Sequence, residues 1–296
     1  MMNLTLKQLR YLDALAAQGH FGRAASICAV SQPALSMQIK ELEDSLGLAL
    51  VERGGRQVRL TEFGARFVAK AREVLAQVED MGEMARAAQD QLMGRLRLGV
   101  IPTIAPYLLP QVMTALGHSH AGLDLHVRET QTHRLLADVE AGLLEAAIVA
   151  LPVSEPSLTE VALFDEPFVL VRPGSEAGRP VPDARAMAEM RLLLLEEGHC
   201  FRDQALEFCG LSGVGREALD ASSLSTLVQM VDAGIGVTLL PEMAVRLETR
   251  STQVDVTAFA GAQPPTRTVG MVWRRSSPLA AQLHDIAQVV RAAALS

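Results

Sequence analysis

Cys200 and Cys209 stand in a setting that could support thiol chemistry. His199 precedes Cys200, and Arg202, Asp203 and Gln204 follow it. Nearby positive charge favours the thiolate, which is the nucleophilic form of the side chain. The C-x8-C spacing alone does not separate a reactive pair from two structural thiols. The third cysteine, Cys28, has apolar neighbours and reads as a small buried hydrophobe. Three cysteines, an odd number in 296 residues, do not make the disulfide framework of a small secreted domain.

A second group of candidates lies near the N-terminus. Gln32, Ser36, Gln38 and Lys40 fall on the polar side of one helical pattern, with Pro33 in its first turn. Amides and hydroxyls suit base edges or phosphates, and a helix N-terminus can itself hold a phosphate. Arg53, Arg56 and Arg59 follow, suited to a DNA backbone or minor groove. The chain carries a net charge of −7, which by itself argues against nucleic acid. Residues 1–60 nevertheless hold seven Lys/Arg against five acids, so the acidic balance belongs to the rest. No GxGxxG, GKT/GKS or HExxH pattern occurs, and neither a cofactor nor a metal is expected. The opening MMNLTLKQLRYL is no signal peptide and no apolar run is long enough to span a membrane, so a cytoplasmic protein is expected.

The elements that must position these residues follow from periodicity and punctuation. Leu6, Leu9, Leu12 and Leu15 share one helix face ended by Gly19, and Phe21–Ala29 makes a second short helix. Ser31 can cap a third, with Leu35, Ile39, Leu42 and Leu46 as its apolar face and Gly47 as its stop. Two helices joined by a tight turn make a helix-turn-helix. Leu50–Leu60, with Gly54-Gly55 at its centre, predicts a hairpin wing. Thr61 can cap a helix over about 62–90 whose stripe runs Phe63, Phe67, Ala71, Val74, Leu75, Val78, Met81. A second subunit is the simplest cover for such a stripe. Beyond Gly94, strands are predicted at Arg95–Val100, Leu123–Arg128, Ala146–Leu151, Phe168–Val171, Leu192–Leu195, Val237–Leu240 and Val269–Trp273. Helical patterns between most of them imply a largely parallel α/β domain in two lobes.

The run Ala24-Ala25…Val30-Ser31-Gln32-Pro33-Ala34-Leu35-Ser36…Leu42-Glu43…Leu46-Gly47…Leu60-Thr61…Gly64 resembles the winged helix-turn-helix of LysR-type transcription regulators. The rest resembles the hydrogen-peroxide-sensing branch of that family through Ile101-Pro102-Thr103, Gln131-Thr132-His133, Leu163-Phe164-Asp165-Glu166-Pro167 and Gly198-His199-Cys200-Phe201-Arg202-Asp203-Gln204-Ala205…Phe208-Cys209. The resemblance covers the whole chain. It implies a DNA-binding domain over 1–61, a dimerising linker helix over 62–93 and a two-lobed, periplasmic-binding-protein-like effector domain over 94–296.

By the same resemblance Cys200 is oxidised to a sulfenic acid and Cys209 resolves it into a disulfide. Thr103, Thr132, His199, Arg202, Asp203 and Arg267 would surround the peroxide or the thiol. Left to their own chemistry, Thr103 reads as a helix N-cap, Arg267 as a surface salt bridge and His133 as a surface polar residue. If Asp203–Phe208 is helical, closing the disulfide must unwind it. The implied partners are double-stranded operator DNA, a second copy in a dimer or tetramer, hydrogen peroxide, a thioredoxin- or glutaredoxin-type reductant, and RNA polymerase. One departure stands out: Ala218 and Asp220 occupy places where family members often carry histidine and arginine, which implies a different oxidation threshold. The rivals are a LysR-type regulator that binds a metabolite between its lobes and, from another class, a thiol peroxidase; no enzyme is expected.

Overall fold

The computed structural model describes residues 4–52, 58–87, 94–182, 186–187, 190–209, 220–259 and 264–295. The chain divides into two compact units, Met1–Ala85 and Arg86–Ser296.

In the first unit, α1 (Leu6–Gln18) begins at a capping box in which Thr5 and Gln8 satisfy each other's backbone N–H, and Gly19 ends it in the left-handed conformation. α2 (Phe21–Ile27) is two residues shorter than its sequence pattern, because the chain turns at Cys28 and Ala29 takes a positive φ. α3 (Gln32–Leu46) is capped by the Ser31 hydroxyl, which accepts from the Ala34 N–H, with Pro33 in the first turn. Leu12, Leu15, Leu35, Ile39 and Leu42 form the core between these helices. β1 (Val51–Glu52) and β2 (Arg59–Leu60) pair antiparallel as the base of the wing. The Glu43 carboxylate accepts from the N–H of Leu50 and Val51, tying α3 to that base. α4 (Glu62–Ala87) follows, its start capped by Thr61, whose hydroxyl accepts from Gly64. Gly64 packs so tightly under the Leu50 carbonyl that a Cβ would lie 2.0 Å from that oxygen. Val68 and Ala71 are buried, whereas Phe63 and Met81 on the same helix are exposed.

The second unit comprises β3 (Arg95–Val100), α5 (Ala105–Ser119), β4 (Asp124–Glu129), α6 (Thr132–Glu140), β5 (Ala146–Leu151), the 16-residue β6 (Leu158–Pro173), β7 (Leu194–Leu195), α7 (Cys200–Phe208), β8 (Asp220–Ala221), α8 (Leu224–Asp232), β9 (Thr238–Pro241), α9 (Glu242–Glu248), β10 (Val254–Ala258), β11 (Thr266–Arg274) and α10 (Ala280–Ala294). Sheet order runs β10-β6-β11-β5-β3-β4, with β9 also on β6. Two hydrophobic cores give the two lobes: β3, α5, β5 and α10 enclose one, and the far half of β6 with β7, α7, α8 and β9 encloses the other. β6 runs through both.

The expectation of a largely parallel sheet needs correcting. β3 pairs parallel with β4 and β5, but β11 runs antiparallel to both β5 and β6, and β6 antiparallel to β9 and β10. Alternation of apolar residues reports the face of a strand and carries nothing about its direction. No helix among the described residues is long and apolar enough to cross a membrane.

Candidate functional site

Cys200 opens α7, with His199 as the N-cap residue and no side chain capping the helix. The turn that delivers Cys200 depends on Gly198, whose φ is +92° and whose absent Cβ leaves room for the Gln131 side chain about 3 Å away. Gln131 Nε2 in turn donates to the Glu197 carbonyl at 3.2 Å, joining the start of α6 to this turn.

Gly198, His199 and Cys200 line one narrow recess together with Ile101, Pro102, Thr103, Gln131 and Thr132, and as it stands the recess is too tight to admit a water molecule. Thr132 is the first residue of α6, and its hydroxyl is buried without a hydrogen-bond partner. A buried polar atom left unpaired is costly, and this one borders the recess beside Cys200. Thr103 is no N-cap: Ile104 holds that place before α5. The Thr103 hydroxyl instead accepts from Arg267 Nη1 at 2.8 Å, and its carbonyl accepts from Nη2 at 2.9 Å.

Arg267 is not a surface salt bridge either. It is 2% exposed and paired with Glu166, itself 3% exposed, through Nε at 2.7 Å. Its guanidinium also lies 5.9 Å from the ring centre of Phe201. Burial pushes the Glu166 carboxyl up from its ordinary range, more than Arg267 draws it down. Sequence reading placed Arg267 without its carboxylate, although Glu166 and Arg267 are partners in the β6–β11 register.

The two cations expected beside Cys200 are differently employed. Burial lowers the pKa of His199, outweighing the opposite pull of Glu196, so the imidazole is neutral at pH 7. Arg202 turns to the two-stranded β7–β8 sheet, where Nη1 donates to the Leu195 carbonyl at 2.7 Å and to Asp220 Oδ1 at 2.6 Å. Asp203 is exposed in the first turn of α7, and neither it nor Arg202 lines the recess. His133 is exposed, as expected. Ala218 lies outside the described residues.

Cys209 sits at the opposite end of α7, buried, with its thiol pushed up to about 11 by desolvation. Both thiols are free. Nine helical steps of about 1.5 Å set the two Cα atoms roughly 13 Å apart. A disulfide needs about 7 Å or less. Oxidation to a Cys200–Cys209 bond is therefore incompatible with α7 as it stands.

On the other unit, Gln32, Pro33 and Lys40 are exposed on α3, and Ser36 and Gln38 are half-buried beside them. Gln38 Nε2 donates to Glu41 at 2.6 Å. Arg59 is exposed on β2, whereas Arg53 and Arg56 lie outside the described residues. Cys28 is half-buried at the end of α2, and burial raises its pKa. No group of His, Cys, Asp and Glu among the described residues could hold a metal ion.

Residues 6–65 match the bacterial regulatory helix-turn-helix protein, lysR family, and residues 89–295 the LysR substrate binding domain. The chain is 41% identical over 292 residues to the DNA-binding transcriptional dual regulator OxyR of Escherichia coli, covering 98% of this chain and 95% of that one. It is 43% identical over 294 residues to a probable hydrogen peroxide-inducible genes activator of Streptomyces viridosporus, covering 98% and 94%. Among solved structures, a full-length OxyR variant from Pseudomonas aeruginosa aligns with a TM-score of 0.77 at 39% identity over 98% of this chain and 96% of that one. A Corynebacterium glutamicum OxyR mutant with H2O2 bound aligns with a TM-score of 0.67 at 34% identity, over 100% and 94%.

Proposed function

The chain belongs to the LysR family of bacterial regulatory helix-turn-helix proteins, and on that footing we propose that it is a DNA-binding transcription regulator that senses hydrogen peroxide through a reversible Cys200–Cys209 thiol/disulfide switch and controls oxidative-stress genes. The observation that carries this reading is the meeting of Cys200, at a helix N-terminus, with the partnerless buried hydroxyl of Thr132 and the Arg267-bound hydroxyl of Thr103 around one recess. Its members being regulators, the family gives no reason to expect an enzyme.

Oxidation runs in two steps. The Cys200 thiolate attacks one peroxide oxygen; the sulfur–oxygen bond forms as the O–O bond breaks, sulfur loses two electrons, and the departing hydroxide takes a proton to leave as water. This gives the sulfenic acid. Thr103 and Thr132 hold the peroxide by hydrogen bonds, and neutral His199 closes the recess. The Cys209 thiolate then attacks the sulfenic sulfur, forming the S–S bond and expelling hydroxide, which leaves as water. Because the Cys209 thiol is buried and stays protonated at neutral pH, this second step requires α7 to open. A dithiol reductant of the thioredoxin or glutaredoxin type resets the switch by thiol–disulfide exchange.

Closing a loop of this size constrains the chain by roughly 2.5–3 kcal/mol on the entropic model. Allosteric couplings are typically ~1–3 kcal/mol, so the switch is large enough to repack a subunit interface. The domains divide as 1–61 for DNA binding, 62–93 for the dimerising helix and 94–296 for sensing. Gln32, Pro33, Ser36, Gln38 and Lys40 on α3, with Arg53, Arg56 and Arg59 of the wing, contact operator DNA as activator or repressor. The exposed Phe63 and Met81 of α4 suit burial against a second copy. Dimers or tetramers of this kind would act with RNA polymerase at promoters in the cytoplasm. The test is DNA footprinting of reduced and peroxide-treated protein: the footprint should change on oxidation, and a Cys200→Ser chain whose footprint changed equally would refute the reading.

A further inference from the structure

Glu166 has no part in the chemistry above, yet it is among the most deeply buried charges of the second unit. Its two carboxylate oxygens are engaged separately. Oε2 accepts from Arg267 through Nε and Nη2, both at 2.7 Å, and Oε1 accepts from the N–H of Met243 in the first turn of α9 at 3.1 Å. Held on this side by the β6–β11 pairing, the guanidinium presents its other edge to Thr103.

That arrangement decides what the Thr103 hydroxyl can do. An arginine has five N–H donors and no acceptor, so Thr103 Oγ1 can only accept from it. The single hydroxyl hydrogen must therefore point away from Arg267, and Thr103 lines the recess that holds Cys200. A hydroxyl that accepts from a cation is polarised into a better donor. Peroxide reduction develops negative charge on the departing oxygen, which is where a donor helps most.

We infer that Glu166 is a positioning residue of the peroxide site, acting through Arg267 to fix the Thr103 hydroxyl as a hydrogen-bond donor into the recess. The inference rests on the reading of Cys200 as the peroxide-reactive thiol. Glu166→Gln keeps the shape of the side chain but has a single acceptor oxygen. Its amide NH2 must therefore face a donor, either Arg267 or the Met243 N–H. Arg267 loses its counter-charge in either case.

The experiment is stopped-flow oxidation of the reduced full-length protein by hydrogen peroxide, in a Cys209→Ser background so that each turnover ends at the sulfenic acid. Alkylation of Cys200 by iodoacetamide, which has no departing oxygen to stabilise, is measured beside it. Glu166→Gln should slow oxidation about tenfold while alkylation stays within twofold. Thr103→Val should slow oxidation at least as much, and the double variant should be no slower than Thr103→Val alone, because both act on one hydrogen bond. Should Glu166→Gln fail to fold by circular dichroism, Glu166→Asp takes its place under the same criteria; it keeps the charge but is too short to hold both partners. Oxidation at the parent rate, equal slowing of both reagents, or additive losses in the double variant would each overturn the inference. A parent protein whose Cys200 ignores peroxide would overturn the sensing reading itself.

Discussion

Replacing Asp220 by Asn should make the Cys200–Cys209 disulfide easier to form. Arg202, in the first turn of α7, is pinned to Asp220 of β8 by a 2.6 Å charged contact and to the Leu195 carbonyl of β7 at 2.7 Å. The side chains are 14% and 35% exposed, so the pair is more sheltered than a fully solvated one. The disulfide state cannot retain α7, so the ion pair stabilises the dithiol state alone. Exposed pairs contribute about 0.2–1 kcal/mol, and this sheltered geometry belongs near the upper end of that range. The bond to Leu195 survives the substitution, so only the Asp220 share is removed. About 1 kcal/mol is a factor of roughly five in the dithiol/disulfide equilibrium, or ~20 mV in reduction potential. Equilibrating both proteins in graded dithiothreitol buffers and counting disulfide by mass should place Asp220→Asn ~20 mV more negative than its parent. An unchanged or less negative potential would refute the idea that this pair holds the reduced helix. Asp220 is one of the two positions at which the family resemblance implies a departure, so the pair would set this chain's own threshold.

Three further outcomes follow from the same geometry. Arg267→Met leaves Glu166 buried with its charge unmatched, which should cost about 3–5 kcal/mol in urea unfolding at pH 8. The cost should be smaller at pH 5, because the raised carboxyl takes up a proton there more readily; a pH-independent loss would contradict the assignment. Burial lifts the Cys209 thiol from 9.0 to about 11, so its contribution to stability is intact below about pH 9. That contribution should be lost as pH rises towards 11, on the order of 2 kcal/mol, in reduced protein; a Cys209→Ser chain with the same slope would exclude this cause. Lys40→Ala and Arg59→Ala should each weaken binding to any DNA sequence and lower the salt slope by about one, and an unchanged slope would remove that residue from the phosphate contacts.

Local signals were the legible part of this chain. Ser31 with Pro33, Thr61, Gly19 and Gly47 mark helix ends where capping chemistry requires them, and β5 spans the residues its apolar run predicts. What the pattern could not carry was long-range pairing. β6 has 16 residues, but only Phe168–Val171 alternates or clusters strongly enough to be read. β10 alternates Val254, Val256 and Ala258 with Asp255 and Thr257, a strand signal that was present and went unread. The site shows the same limit. Cys200, Thr103 and Thr132 were legible through resemblance, whereas the Glu166–Arg267 pair joins residues 101 positions apart. His199 and Arg202 were credited with charge because they neighbour Cys200 in sequence. One is neutralised by burial, and the other, two residues along the helix, projects toward β7 and β8.

The peroxide switch is tested by treating the reduced protein with about one equivalent of hydrogen peroxide and mapping its thiols by mass spectrometry, with Cys200→Ser alongside. A rapid Cys200–Cys209 disulfide is expected, with Cys28 unmodified and no reaction at Cys209 in the variant. Unreacted Cys200 and Cys209 in protein shown to be folded would contradict it, and would turn the search to a metabolite bound between the two lobes.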